Sequence, residues 1–494
     1  MSKSKHKGRR SSTRQRTRRR NSSRRTNKAA LLRLWDWLLC VPLLVGIDLH
    51  GNTKWTARVL VIQALCWSWS DQRHLNDAFA QSVRWTRDLC GVVALTSYQG
   101  FMGALGTWTP TLIRELSAVI HQRMEGLGSR FWSIGVWVPF AFDGSRVTTP
   151  RTRANERAFC APKHGQGKTA RYRKKKTKEM RRQNNEKNKP QPPKPQVWLT
   201  QIWHVGLRLV WSWRRGPSNA SEREHVMDMV KTEKFPKNAL FCGDAGFVGY
   251  PLWSRILRRG YQFLVRVGAN VHLLVEGKVS GAKDQQVLSW PKDARDKGLR
   301  PLRLRLVRVR ISKRTKAWLL TSVLDPNKLT AQQMVRLYKM RWGVEVEFRG
   351  LKQTLERAKL RCHNDKRALL ELDWSLLGLL VAQLWALKEQ LEKRTNQPQS
   401  RSSVVEYDPK KRSLAGTMRA LRQSLEDVGR VDQSGPSVSE RLGEAMTDDY
   451  VRTRPKRARY RPPNPDKKPL GDPKIRRLNN KERKILDAMP QLAV

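Results

Sequence analysis

Phe131-Trp-Ser-Ile-Gly-Val-Trp-Val-Pro-Phe-Ala-Phe-Asp143-Gly-Ser-Arg-Val147 is a near-continuous run of apolar and β-prone side chains. A run of this kind fits a strand buried on both faces, so something must cover the sheet on either side. It also delivers a carboxylate, Asp143, next to a glycine. Strand-like runs follow at Val197–Val205 and Leu207–Trp213. Ser221-x-x-Glu224 reads as a capping box opening a helix to about Lys231. Ala239-Leu-Phe-Cys-Gly-Asp244 is then a short strand ending in a second carboxylate, flanked by Gly243 and Gly246. A helix over Tyr250–Arg259 and a strand over Gln262–Val267 complete a β-β-β-α-β-α-β order, which predicts a mixed α/β sheet with both acids at strand ends.

Residues 268–325 are strand-rich again, at Val271–Val275, Leu302–Ile311 and Ala317–Val323. Thr330-Ala-Gln-Gln333 resembles a capping box, and from it the spacing predicts one long amphipathic helix to about Leu360. On a wheel of ~100° per residue, Arg341, Glu345, Arg349 and Lys352 share one polar face, beside an apolar stripe of Leu337, Met340, Val344, Phe348, Leu351 and Leu355. Glu347 points away from that face. Ordinary i,i+4 pairs such as Arg341 with Glu345 would also account for the pattern. Three cations around one acid exceed what a single surface pair needs, and they suit a carboxylate that shares a cleft with phosphates. Two strand-end Asp and one helix Glu make an oxygen-only donor set suited to Mg²⁺ or Mn²⁺. Two such ions can drive phosphodiester chemistry with no protein nucleophile.

The remaining sequence fixes the partner class. The chain has 494 residues with 99 Lys+Arg against 42 Asp+Glu, a formal charge of +57. That excludes an ordinary metabolic enzyme and points to a polyanion. Residues 1–28 carry 13 basic side chains and no acid, and further basic runs lie at 163–196 and 451–494. One such run alone would be a solvated tail; three on a basic body favour nucleic acid. The reading divides the chain into a disordered basic arm (1–28) and a helical module assigned to DNA binding (29–125). A sheet core (131–267) follows, interrupted by a basic Pro-rich loop at 163–196. Then come a β-rich insertion (268–325), a helical continuation of the core (326–394) and a basic, partly disordered tail (395–494) with a helix at Ser413–Asp427.

Six cysteines, Cys40, Cys66, Cys90, Cys160, Cys242 and Cys362, show neither a disulfide framework nor zinc spacing. They read as reduced thiols of an intracellular protein. The apolar run Trp37–Ile47 is too short to span a bilayer and lacks a clear cleavage site. Trp374–Leu387 is expected to be a buried helix, so no membrane partner is expected.

Tyr338-x2-Arg341-x3-Glu345-x6-Lys352 resembles the Y-R-E-K signature of the insertion sequence 4 family of DDE transposases. Phe142-Asp143-Gly-Ser is similar to the segment bearing that family's first catalytic Asp. Cys242-Gly-Asp244-Ala-Gly-Phe247 is similar to the segment bearing the second. The resemblance covers about residues 131–390 and implies an RNase H-like core with a β-rich insertion before the Glu. It further implies Asp143, Asp244 and Glu345 as catalytic metal ligands holding two Mg²⁺ ions, with Mn²⁺ able to substitute. Tyr338, Arg341, Arg349 and Lys352 would bind DNA. The implied activity is hydrolysis at transposon inverted-repeat ends, then strand transfer of the 3′-hydroxyl into target DNA. The implied setting is a synaptic homodimer in a bacterial cytoplasm, associated with the nucleoid. Some members stack an insertion Trp on a flipped base; Trp290 and Trp318 lie in this insertion, and the sequence assigns neither. The long basic loop at 163–196 departs from the common pattern. Alternatives are an RNase H-like nuclease or resolvase without strand transfer, a non-catalytic transposase-derived DNA-binding protein, and a basic RNA-binding protein.

Overall fold

The computed structural model describes residues 27–39, 55–160, 194–277, 282–312, 315–395, 407–429, 435–447 and 470–489. Most of the basic arm, most of the 163–196 loop, Cys40 with most of the Trp37–Ile47 run, and residues 448–469 lie outside the described residues.

Four helices come first: α1 (27–38), α2 (Ala57–Trp69), α3 (Leu75–Cys90) and α4 (Tyr98–Gly128). Strand β1 (Val138–Thr148) follows, then α5 (Arg153–Phe159), β2 (Gln196–His204), β3 (Leu209–Gly216), α6 (Glu222–Thr232), β4 (Ala239–Gly243), α7 (Tyr250–Arg258) and β5 (Gln262–Val267). Next are β6 (His272–Val275), β7 (Asp284–Ser289), α8 (Lys292–Asp296), β8 (Leu302–Arg310) and β9 (Lys316–Thr321). The chain closes with α9 (Ala331–Arg341), α10 (Gly343–Arg349), α11 (Asp365–Thr395), α12 (Leu414–Gly429), α13 (Val438–Glu444), β10 (Lys474–Arg477) and α14 (Asn480–Asp487).

The ten strands form one mixed sheet in the order β10-β6-β7-β8-β9-β5-β4-β1-β2-β3. Strands β1, β2 and β3 pair antiparallel, whereas β1-β4 and β4-β5 are parallel. The strands of 268–325 build no separate sheet: β9 pairs antiparallel with β5 and extends the same one. The polar Asp284-Gln-Gln-Val-Leu-Ser segment, unread as a strand in the sequence, becomes β7 because β8 pairs along its whole length.

Helix α11 is buried on all sides, which explains its weak amphipathy. It is long and apolar enough to cross a membrane, and 94% of its apolar window lies inside the protein. Helices α2, α4 and α13 pack on it. Trp35, Trp69 and Trp385 interlock at this junction with ring centroids 4.7 to 5.7 Å apart, and the Trp69 indole donates to Gly378 O at 2.9 Å. Each buried ring removes a large apolar area from water.

Two expectations change. The long helix after Thr330 keeps its capping box, with Thr330 and Gln333 bonded reciprocally, but it does not run unbroken to Leu360. It is interrupted at Trp342, resumes as α10, and widens into a π-turn over Gly350–Thr354. At the break, Trp203 and Arg208 press so closely on Gly343 that any Cβ there would collide with them. The polar region after 395 also contributes more than the one expected helix. Strand β10 adds to the β6 edge, and Leu478, with Ile485 and Leu486 of α14 and Met489 just beyond it, packs against Trp290 and Leu288. Periodicity alone could not show a strand such as Lys-Ile-Arg-Arg, because pairing rather than side-chain pattern creates it.

Candidate active site

The parallel β1-β4 ladder sets Ala141 opposite Cys242. Carried two residues further, that register brings Asp143 and Asp244 side by side just where β4 ends. Asp143 does not end its strand as the sequence suggested: β2 pairs along β1 as far as Thr148 and sets Gln201 opposite Asp143, so only Asp244 stands just past a strand end. Asp143 Oδ1 accepts the N–H of the next residue, Gly144, at 2.9 Å and Asp244 Oδ1 accepts the Gly246 N–H at 2.7 Å. Helix α10 supplies the third acid. Burial pushes the Asp143 carboxyl above its ordinary range; the Gly144 N–H and the Arg341 guanidinium oppose that rise, while the charges of Asp244 and Glu345 add to it. The three carboxylates therefore feel one another.

The cations face the same cleft. Arg341 is 3% exposed, and its Nη1 lies 3.9 Å from Asp143 Oδ2. Its guanidinium lies over Tyr338 at 5.6 Å and Trp342 at 5.9 Å. Its Nε and Nη1 are buried with no hydrogen-bond partner. Buried donors left unpaired are costly, so an oxyanion that accepts from them is the expected complement. Lys352 Nζ donates to Ser145 Oγ at 2.6 Å, two residues beyond Asp143, and partial burial lowers its pKa. Arg349 stands apart, exposed to solvent. Glu347 points the opposite way: it is buried, and both its oxygens accept from Gln383 Nε2, at 2.9 and 2.8 Å.

Sequence reasoning missed two residues here. Glu222, the first residue of α6, reaches across to Gly144 so closely that a Cβ at 144 would collide with its carboxylate. Burial, helped by the charges of Asp143 and Asp244, pushes Glu222 up to about 7. Only the glycine of Asp143-Gly144 hinted at a close neighbour. Trp342 is 60% exposed beside Arg341, an unusual placement for an indole. The two insertion tryptophans also separate. Trp290 is buried, with its indole donating to Leu299 O at 2.6 Å, while Trp318 donates to Asp472 Oδ1 at 2.8 Å.

The donor set is all oxygen, which by chemistry fits a hard divalent ion. A cation would also relieve the mutual repulsion that raises Asp143. Among the described residues, no three carboxylates, imidazoles or thiols already converge to metal-holding spacing. Cys66, Cys90, Cys242 and Cys362 are free thiols.

Residues 138–380 match the family described as Transposase DDE domain. The chain is 27% identical over 256 residues to the transposase InsG for insertion sequence element IS4 of Escherichia coli (strain K12). That match covers 49% of this chain and 50% of the relative, so the chain spans about half the length of the curated relative it matches. Among solved structures, the piggyBac transposase synaptic complex with hairpin DNA is similar over 86% of each chain, at 12% identity and a TM-score of 0.37. A likeness that distant carries no argument about function. All three acids, with Tyr338, Arg341 and Lys352, fall inside the matched segment.

Proposed function

Because the chain belongs to the DDE transposases of the insertion sequence 4 family, we propose that it is a DNA transposase. It hydrolyses a phosphodiester at each inverted-repeat end and then transfers the freed 3′-hydroxyl into target DNA. The observation that supports the reading is that Asp143 feels the charges of both Asp244 and Glu345, with Arg341 buried beside it and two of the Arg341 donors unpaired. DDE transposases use divalent metals, and Mg²⁺, with Mn²⁺ as substitute, is the ion proposed for this chain.

Asp143, Asp244 and Glu345 would hold the metal, which when bound supplies charge neutralisation and an activated oxygen nucleophile. Arg341 offers its unpaired N–H groups to a phosphate oxygen near the scissile bond, where its planar fork suits phosphate geometry. Tyr338 packs against that guanidinium and keeps it aimed. Lys352, held on Ser145, adds charge on the far side of Asp143. In the first step a water oxygen attacks phosphorus and the bond to the 3′ oxygen breaks, leaving a 3′-hydroxyl and a 5′-phosphate. In the second the 3′-hydroxyl attacks a target phosphodiester, one P–O bond replacing another.

We also propose an RNase H-like core for β1 to β5 with their flanking helices. Its support is the three antiparallel strands joined through β1 to two parallel ones, with Asp143 within β1 and Asp244 just past the end of β4. The helical module of 29–125, the β6–β9 insertion, action as a synaptic homodimer and work at the bacterial nucleoid without a membrane partner belong to the same proposal.

The test is cleavage of duplexes carrying the element's inverted repeats, with Mg²⁺. Wild-type protein should give 3′-hydroxyl ends and joined products, and Asp143→Ala, Asp244→Ala and Glu345→Ala should give neither. Cut ends without joined products would replace the proposal with a nuclease. Intact cleavage in all three variants would remove the acids from the mechanism.

A further inference from the structure

Beside the Asp244 loop lies a second, separate cavity of about 530 Å³, in the size range of small-molecule sites. Three distant parts of the chain build it. The core gives Arg223 of α6 and the start of α7; the β6–β7 region gives Asn270, His272, Lys292 and Arg295; the C-terminal strand β10 gives Arg476. Four of the lining side chains are Lys or Arg, and no carboxylate lines it.

The cations are held rather than loose. Glu482, 4% exposed and set behind the wall, accepts from Arg476 at 2.7 and 2.6 Å and pairs with Arg295 at 2.8 Å. Arg295 also donates to Trp290 O at 2.8 Å, and Arg223 donates to Val248 O at 2.9 Å. One acid is thus shared by two of the four cations, and the cavity keeps a net positive charge. Helix α7 starts at its wall with no side-chain cap, after Gly249 at φ 140°, so backbone N–H groups and the positive end of the helix dipole meet the same space. The cavity is tied to the proposed active site: Asn270 donates to Ala245 O at 3.2 Å, and Ala245 is the residue after Asp244.

We infer that this cavity is a phosphate-binding site for the DNA strand, gripping a backbone phosphate away from the scissile one. The inference rests on the DNA reading above, though not on catalysis. It gives the C-terminal strand a use that composition does not suggest: β10 places Arg476 at the rim. Recognition of this type reads charge and not base sequence, so the grip should be equal on unrelated duplexes.

The test is full-length protein binding duplex DNA in EDTA, with affinity followed against salt concentration. Each phosphate neutralised contributes about 0.9 to the slope of log K against log salt. Lys292→Ala and Arg223→Ala should each lower the slope by about 1, on any duplex sequence, while Arg476→Lys should retain it. Slopes unchanged in both alanine variants would overturn the inference, and Lys292, exposed on a short helix, keeps this decisive even if changes at Arg476 disturb β10. Unchanged slopes with lost binding of inorganic phosphate, read by calorimetry, would also overturn it, by assigning the cavity to a free anion. Since the assay involves no cleavage, a chain that loses slope but never cuts would sink the proposed function and spare this site. A chain that cuts with unchanged slopes would do the reverse.

Discussion

Two groups of buried acids in this protein are treated in opposite ways. On α11, Glu371 accepts the N–H groups of Arg361 and Cys362 at 2.8 and 3.0 Å, and pairs with Arg361 at 3.0 Å and Arg357 at 3.3 Å. Asp373 accepts from the Trp213 indole at 3.0 Å and pairs with Arg215 at 2.7 Å. Every acid there has its complement of donors. In the second group, Asp143 has one N–H from the next residue of β1, one cation 3.9 Å away and three acids nearby, Asp244, Glu345 and Glu222. Matched acids hold a fold together; acids left short of cations are arranged for something that binds later.

The contrast can be broken at several points. Substituting Asp143, Asp244 or Glu345 should cost several kcal/mol of transition-state stabilisation, about a thousandfold or more in cleavage rate. Glu371→Ala should instead cost about 3–5 kcal/mol of folding stability, because it leaves buried Arg357 uncompensated; urea unfolding followed by Trp fluorescence measures this. Asp143→Asn should fold at least as stably as wild type in EDTA, since it removes a like charge from the cluster. A marked loss of stability would mean that Asp143 belongs with the structural acids.

A partly buried imidazole gives a third pattern. His121 stacks on Trp211 with ring centroids 3.6 Å apart, and burial pushes its pKa down to about 4. The unfolded chain therefore binds this proton more readily than the folded one, so His121 lowers stability as pH falls from about 6.5 toward 4. His121→Phe should flatten that part of the pH profile in thermal melts. The smallest effect is expected at exposed Arg349. Arg349→Ala should lose about one phosphate contact of salt slope with little loss of rate, whereas Arg341→Ala should lose rate.

The sequence disclosed Asp143 and Asp244 because a continuous apolar run announces a buried strand and a carboxylate after it stands out, although β1 continues past Asp143 to Thr148 through its pairing with β2. It separated Glu345 from Glu347 because helical period alone puts them on different faces, and the two side chains do take different surroundings. The break at Trp342 was hidden, since the amphipathic pattern runs straight through a point where Trp203 and Arg208, from another part of the chain, pack on Gly343. Glu222 was hidden for the same reason: nothing local to α6 says that its first residue will meet Gly144. Strands β7 and β10 carry polar sequences and exist through their partners.

The central claim is that Asp143, Asp244 and Glu345 are short of cations because a divalent metal completes them. Calorimetric titration of Mn²⁺ into wild-type protein and into Asp143→Asn tests it without DNA or turnover. The account predicts saturable binding by the wild type that is lost or strongly weakened in the variant. Identical titrations for the two proteins would contradict it.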